Sequence, residues 1–193
     1  SFILKERPDI LFLSEIHKTV HCQLFDALEK HFAHFYTNIG LNQGLGFGSG
    51  FFVASKDPAI SSPRFIPFKI SADSTKRGVF LLETQKCWYI YTHLFPGQSE
   101  KDKKVRSLQI NEIMDEVKKI TGDKPAIILG DLNIDKKNCH EEYLAMIEKG
   151  LIDPLACDEN VARDNGLHTE MEMDQSENVG YILQSPSQAK LKI

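Results

Sequence analysis

The chain has 193 residues, 41% of them hydrophobic and 26% charged, with a formal net charge of −4. That length and apolar content fit one large domain over residues 1–193 with a core of its own and no need of a disulfide framework. The acidic balance argues against a bulk nucleic-acid binder with a broad basic face, and no run is long and apolar enough to span a bilayer.

In chain order, Asp9–Ser14 (DILFLS) is a near-continuous apolar run after Pro8, the pattern of a strand covered on both faces. From Val20 to Phe32, Leu24, Phe25, Leu28 and Phe32 recur at helical spacing. Residues 40–50 form a glycine-dense loop that leads into a Phe51–Ala54 strand. Phe65–Ile70, Val79–Glu83 and Trp88–Thr92 are further strand-like runs. Val105–Ile120 is the clearest helix, with Ile110, Ile113, Met114 and Val117 on one face and Gly122 as its stop. An Ala126–Leu129 strand, a helix over Glu141–Lys149 and a strand at Tyr181-Ile182-Leu183 follow. Strands that succeed one another without intervening helices indicate an α+β sandwich rather than a βαβ repeat.

The four cysteines, Cys22, Cys87, Cys139 and Cys157, lack metal-ligand spacing, and Cys87 reads as a buried thiol in an apolar run. The N-terminus, Ser1-Phe2-Ile3-Leu4, turns charged at once and shows no signal-peptide pattern. It leaves the compartment undetermined, and nothing in the sequence sets the oligomeric state.

Chemistry-bearing residues gather at the ends of the apolar runs. In Ile127–Asn133 a short apolar stretch ends in Gly130 and then offers Asp131 and Asn133. On an extended segment residues i and i+2 share a face, so the acid and the amide can point at one object; the competing reading is an ordinary turn. Glu15 follows the first strand, as a hard-cation ligand or as an edge residue capping the next helix. His93 closes Trp88–Thr92, as a proton-exchanging or phosphoryl-contacting imidazole or as a hydrogen-bonded residue of the sheet edge. Arg106 and Gln109, one turn apart, either reach back to the same edge or form a solvated helix start. Lys76-Arg77-Gly78 is a cation near a substrate phosphate or a basic turn. His17 and His21 have zinc-compatible spacing, but Lys18 stands where the metalloprotease motif has Glu. The glycines at 44, 46, 48 and 50 lack the Gly-Lys-Ser/Thr of a P-loop and precede a strand, which favours a plain loop.

Taken in order, these pieces resemble the endonuclease/exonuclease/phosphatase superfamily of metal-dependent phosphodiesterases. The resemblance runs through Pro8–Glu15, Gly48–Lys56, Lys76-Arg77-Gly78-Val79, Tyr91-Thr92-His93-Leu94, Val105-Arg106 to Gln109, and Gly130-Asp131-Leu132-Asn133. The Thr-His-Leu and Lys-Arg-Gly-Val blocks and the helix start look most like the neutral sphingomyelinase branch. The resemblance implies a four-layer α/β/β/α sandwich of two mixed β-sheets flanked by helices, with a catalytic cleft at one rim. It implies Mg²⁺, or Mn²⁺ in its place, bound by Glu15. By the same resemblance His93 and Asn133 stabilise charge on phosphoryl oxygens and Asp131 holds or activates water. Arg77 and Arg106 are the candidate substrate contacts. The implied partner is a phosphodiester, either a lipid head group or nucleic acid.

Departures from the pattern are specific. The family's early Asn-bearing strand has no counterpart here, nor does its final Ser-Asp-His block; His168-Thr169 comes too early in the order for it. Gly180 stands where the family's Asp-Tyr-Ile has its Asp. The expectation is therefore a domain that lacks both ends of the family's site, or else a non-catalytic relative.

Overall fold

The computed structural model describes residues 2–16, 18–40, 48–70, 75–120, 124–154 and 180–185. Helix α1 (Phe2–Glu6) leads into strand β1 (Ile10–Leu13), helix α2 (His21–Leu28) and strands β2 (His34–Tyr36) and β3 (Phe52–Ser55). Strands β4 (Arg64–Pro67), β5 (Gly78–Glu83) and β6 (Trp88–His93) precede the long helix α3 (Glu100–Ile120). Strand β7 (Ala126–Asp131), helix α4 (His140–Glu148) and strand β8 (Gly180–Gln184) complete the order.

The strands form two sheets. The smaller has the order β1-β3-β2, with both pairings antiparallel. The larger has the order β4-β5-β6-β7-β8, antiparallel except for the parallel β6–β7 pair. Strand alternation assigns each apolar residue to a layer. Phe51 and Val53 pack between the sheets against Phe80, Leu82 and Tyr91. Their neighbours Phe52 and Ala54 turn outward to Leu28 and Phe32, the helix-side packing of the smaller sheet. On the far side of the larger sheet, Leu81, Ile90 and Ile128 pack with Ile113 and Val117 of α3 and Met146 of α4. The result is the α/β/β/α sandwich that the resemblance implied. Each fully buried side chain of this size contributes about 1.5–3 kcal/mol of transfer free energy, so the three apolar layers fix the stacking.

The element boundaries depart from the sequence reading where local polar chemistry outweighs periodicity. Helix α3 begins at Glu100, five residues before Val105, because Ser99 and Asp102 cap it reciprocally. The Asp102 backbone N–H donates to Ser99 Oγ at 3.3 Å and the Ser99 N–H to Asp102 Oδ2 at 3.0 Å. The first turn is charged and carries no apolar stripe. Helix α2 ends at Leu28, after which a turn brings Phe32 back into the core at 4% exposure. Strand β2 is only three residues long and had no sequence signal.

Candidate active site

Strands β6 and β7 run parallel and end side by side, with His93 paired to Asp131 in register. Their close approach depends on Gly130, one position earlier: at φ 138° a Cβ there would overlap the Thr92 carbonyl oxygen. Tyr91 and Leu129 lie in the layer between the sheets, so His93 and Asp131, two residues on, face the rim of the same gap. His93 is buried at 7% exposure, with Nε2 3.7 Å from Asp131 Oδ2. That separation is beyond a hydrogen bond and becomes an ion pair only when the imidazole is protonated.

Asn133 joins Asp131 by a turn, not by the shared strand face that the i, i+2 spacing suggested. Strand β7 ends at Asp131, and Asn133 adopts the left-handed conformation, φ 52°, that Asn tolerates. Its backbone N–H donates to Asp131 Oδ1 at 2.9 Å, and its Nδ2 donates to the Leu94 carbonyl at 2.9 Å. The turn ties the end of β7 to the residue after His93, and the Leu94 N–H closes it by donating to the Asp131 carbonyl at 2.9 Å.

Glu15 arrives from the smaller sheet. It lies two residues past the end of β1 and holds φ 58°, a conformation uncommon for a glutamate. The Ile16 N–H donates to the Gly50 carbonyl at 2.9 Å. A Cβ on Gly50 would press on the Glu15 backbone at 3.3 Å, so the Gly48–Gly50 segment seats the Glu15 turn. The Glu15 side chain is exposed and has no hydrogen-bond or ion-pair partner among the described residues. Tyr91 lies between the two sides of the site. Burial pushes its phenol well above the ordinary tyrosine range; the hydrogen bond with Ser14 opposes this, and the charges of Asp131 and Glu15 add to it.

The arginines take different places. Arg106 is fully buried: Nε and one terminal nitrogen hold Glu142 in a bidentate pair at 2.8 Å each, and the other donates to the Phe95 and Gly97 carbonyls. The expectation that Arg106 contacts substrate is corrected, because its donors are committed inside the protein. Gln109 is equally buried, accepting from the Phe95 N–H and donating to the Ile70 carbonyl, so the solvated helix start is corrected too. Arg77 is buried beneath the same loop, donating to the Leu94 carbonyl at 2.7 Å with its guanidinium 5.9 Å from the Phe95 ring centre. The sequence reading missed Glu142, Ser14 and Tyr91. Glu142 sits on an ordinary helix face, and an aromatic at an alternate strand position looks like plain core.

Of the other motifs, His17, Gly44, Gly46, Cys157, His168 and Thr169 lie outside the described residues. His21 opens α2 with Nε2 3.4 Å from the Ile16 carbonyl and its ring edge toward Phe52. Cys87 is buried, and burial raises its thiol pKa. Gly180 is the register partner of Asp131 on β8, so the position where the family pattern has an acid lies beside Asp131 and carries no side chain.

Residues 1–138 match the model of the Endonuclease/Exonuclease/phosphatase family. The chain belongs to that family. Its fold is similar to sphingomyelinase C from Streptomyces griseocarneus, with 20% identity over 94% of this chain and 72% of that one and a TM-score of 0.72. It is likewise similar to a Staphylococcus aureus beta toxin mutant solved with bound magnesium ions, with 21% identity, 95% and 73% coverage and a TM-score of 0.72. Truncated TDP2 from Caenorhabditis elegans matches with 18% identity, 95% and 73% coverage and a TM-score of 0.64. No curated protein sequence is significantly similar to the chain. Among the described residues no three His, Cys, Asp or Glu side chains converge as a ready-made metal cage, and no helix is long and apolar enough to cross a membrane. Glu15 and Asp131 fit a hard cation that takes one or two carboxylates and fills its remaining positions with water and substrate oxygens, the habit of Mg²⁺.

Proposed function

We propose that the chain is a divalent-cation-dependent phosphodiesterase, most like a sphingomyelinase, that hydrolyses a phosphate ester by water attack. Two observations support this reading: His93, Asp131 and Asn133 meet at the ends of β6 and β7, and the hydrogen bond between Ser14 and Tyr91 brings the residue before Glu15 to the same strand as His93. Glu15, with Asp131 nearby, holds Mg²⁺ or Mn²⁺. When bound, the cation acts as a Lewis acid on the phosphate and offsets its developing charge. His93 and the free Asn133 amide hydrogen donate to the phosphoryl oxygens. Asp131 accepts the Asn133 N–H on Oδ1, carries Oδ2 3.7 Å from His93 Nε2, and holds or activates the attacking water. Arg77 supports the turn after His93 and adds positive potential beneath the substrate phosphate.

A lipid head group is favoured over duplex DNA. The net charge of −4 and the absence of a basic run lack the footprint of a duplex nuclease, and the Lys76-Arg77-Gly78 and Thr92-His93-Leu94 blocks look most like the sphingomyelinase branch. The test assays phosphocholine release from sphingomyelin micelles beside cleavage of nicked or abasic DNA, both with Mg²⁺. Lipid turnover that exceeds DNA cleavage is expected, with His93→Ala lowering kcat by about 10²–10³ and leaving KM near its value. DNA cleavage without lipid turnover overturns the substrate assignment, and a His93→Ala protein with normal kcat overturns the site. Gly180 beside Asp131 favours one alternative, a non-catalytic binding module. Mg²⁺ binding without hydrolysis of either substrate, by a protein that carries both ends of the family's site, would favour it.

A further inference from the structure

The candidate site is split between two sheets: Glu15 belongs to the smaller one, His93 and Asp131 to the larger. Close-packed apolar contacts fix which layers stack, but being non-directional they leave the polar rim a small freedom of position. A cation shared between carboxylates on both sheets tolerates no such freedom, since its bonds to oxygen are only about 2.0–2.6 Å long. Something directional is needed at the rim to set the gap.

We propose that the hydrogen bond between Ser14 and Tyr91 is that device, a cross-sheet tether that makes the two hydroxyl residues positioning residues for the cation site. Ser14 Oγ and the Tyr91 hydroxyl are 2.8 Å apart across 77 residues of sequence. Ser14 is the direct chain neighbour of Glu15, and Tyr91 lies two residues before His93 on the same face of β6. The tyrosine is rigidly held. Tyr91 is 3% exposed, and its ring is flanked by Phe12 and Phe51, with centroids at 5.0 and 4.6 Å. Leu129 is its register partner on β7, two residues before Asp131. A hydrogen bond is directional where the flanking ring contacts are not, so a lateral shift of one sheet on the other is felt at this bond. The tether therefore transmits the position of β6 and β7 to the Glu15 turn, which Gly50 seats from the other side.

The inference rests on the proposed cation site but is separable from it. The experiment compares wild type, Tyr91→Phe, Ser14→Ala and the double variant in the full-length protein. The readouts are urea unfolding, Mg²⁺ affinity by calorimetry, and the Mg²⁺ concentration for half-maximal turnover. Both single variants strand one hydroxyl, and removing both partners of a hydrogen bond is close to neutral for stability. Positioning predicts that the double variant recovers stability while Mg²⁺ affinity stays low in all three variants, by about threefold to tenfold, with substrate KM unchanged. If affinity recovers along with stability in the double variant, the bond is merely structural and the proposal falls. Wild-type affinity in all variants also overturns it. A wild-type protein that neither binds Mg²⁺ nor turns over substrate removes the site reading, and the tether's role with it.

Discussion

Replacing Arg106 with methionine tests the loop architecture independently of any activity. Methionine keeps much of the stem's volume but removes the charge, the bidentate pair with Glu142 and the bonds to the Phe95 and Gly97 carbonyls. The two side chains are 0% and 11% exposed, so Glu142 is left as a largely buried carboxylate with its cation gone. Breaking a buried pair from one side costs about 3–5 kcal/mol. The carbonyls add less, because Gly97 is exposed and Phe95 half-buried, and water can replace the lost donor. A loss of about 3–5 kcal/mol would remove a large share of a typical domain's 5–15 kcal/mol and lower Tm by roughly 6–20 °C at this chain length. Urea and thermal unfolding read it directly. The double variant Arg106→Met/Glu142→Leu should regain most of the loss, since apolar replacement of a buried pair is often neutral. A single variant within about 1 kcal/mol of wild type, the usual worth of an exposed pair, would refute the reasoning, as would a double variant no more stable than the single.

Gly130→Ala should cost at least about 3 kcal/mol, or prevent folding, because the new methyl meets the Thr92 carbonyl at a positive φ; soluble protein with a normal melt would refute the packing of β6 on β7. Glu15→Asn should raise stability by roughly 0.5–1 kcal/mol, because Asn tolerates φ 58° better than Glu, while weakening Mg²⁺ binding at least tenfold; unfolding and calorimetry on one sample give both numbers. Hydrogen bonds from Lys124 and then Ser61 hold the Glu83 carboxyl below its usual 4.5. A depressed carboxylate stabilises above its unfolded pKa and loses that contribution as pH falls through the folded one, so the wild type's advantage over Lys124→Met should be present near about pH 6 and vanish in acid. An advantage independent of pH would contradict the assignment.

Much of this protein was legible in the residues alone. The apolar runs Phe51–Ala54 and Trp88–Thr92 read as strands before any layer was known, because the strand signal is local. The ordered blocks from Pro8 to Asn133 pointed to the family, and the strand-end positions of His93 and Asp131 followed from where the apolar runs stop. Polar side chains that find partners far along the chain were not legible. Arg106 looked like a helix-start cation until Glu142, 36 residues on, took it into the interior. Tyr91 looked like core until Ser14, 77 residues earlier, was found on its hydroxyl. Asp131 and Asn133 meet through a left-handed turn, and the Gly180 position gains meaning only from its register opposite Asp131. Hydrophobic patterning is written residue by residue and survives without the fold, whereas a hydrogen bond between distant groups exists only once the packed sheets bring its partners within about 3 Å.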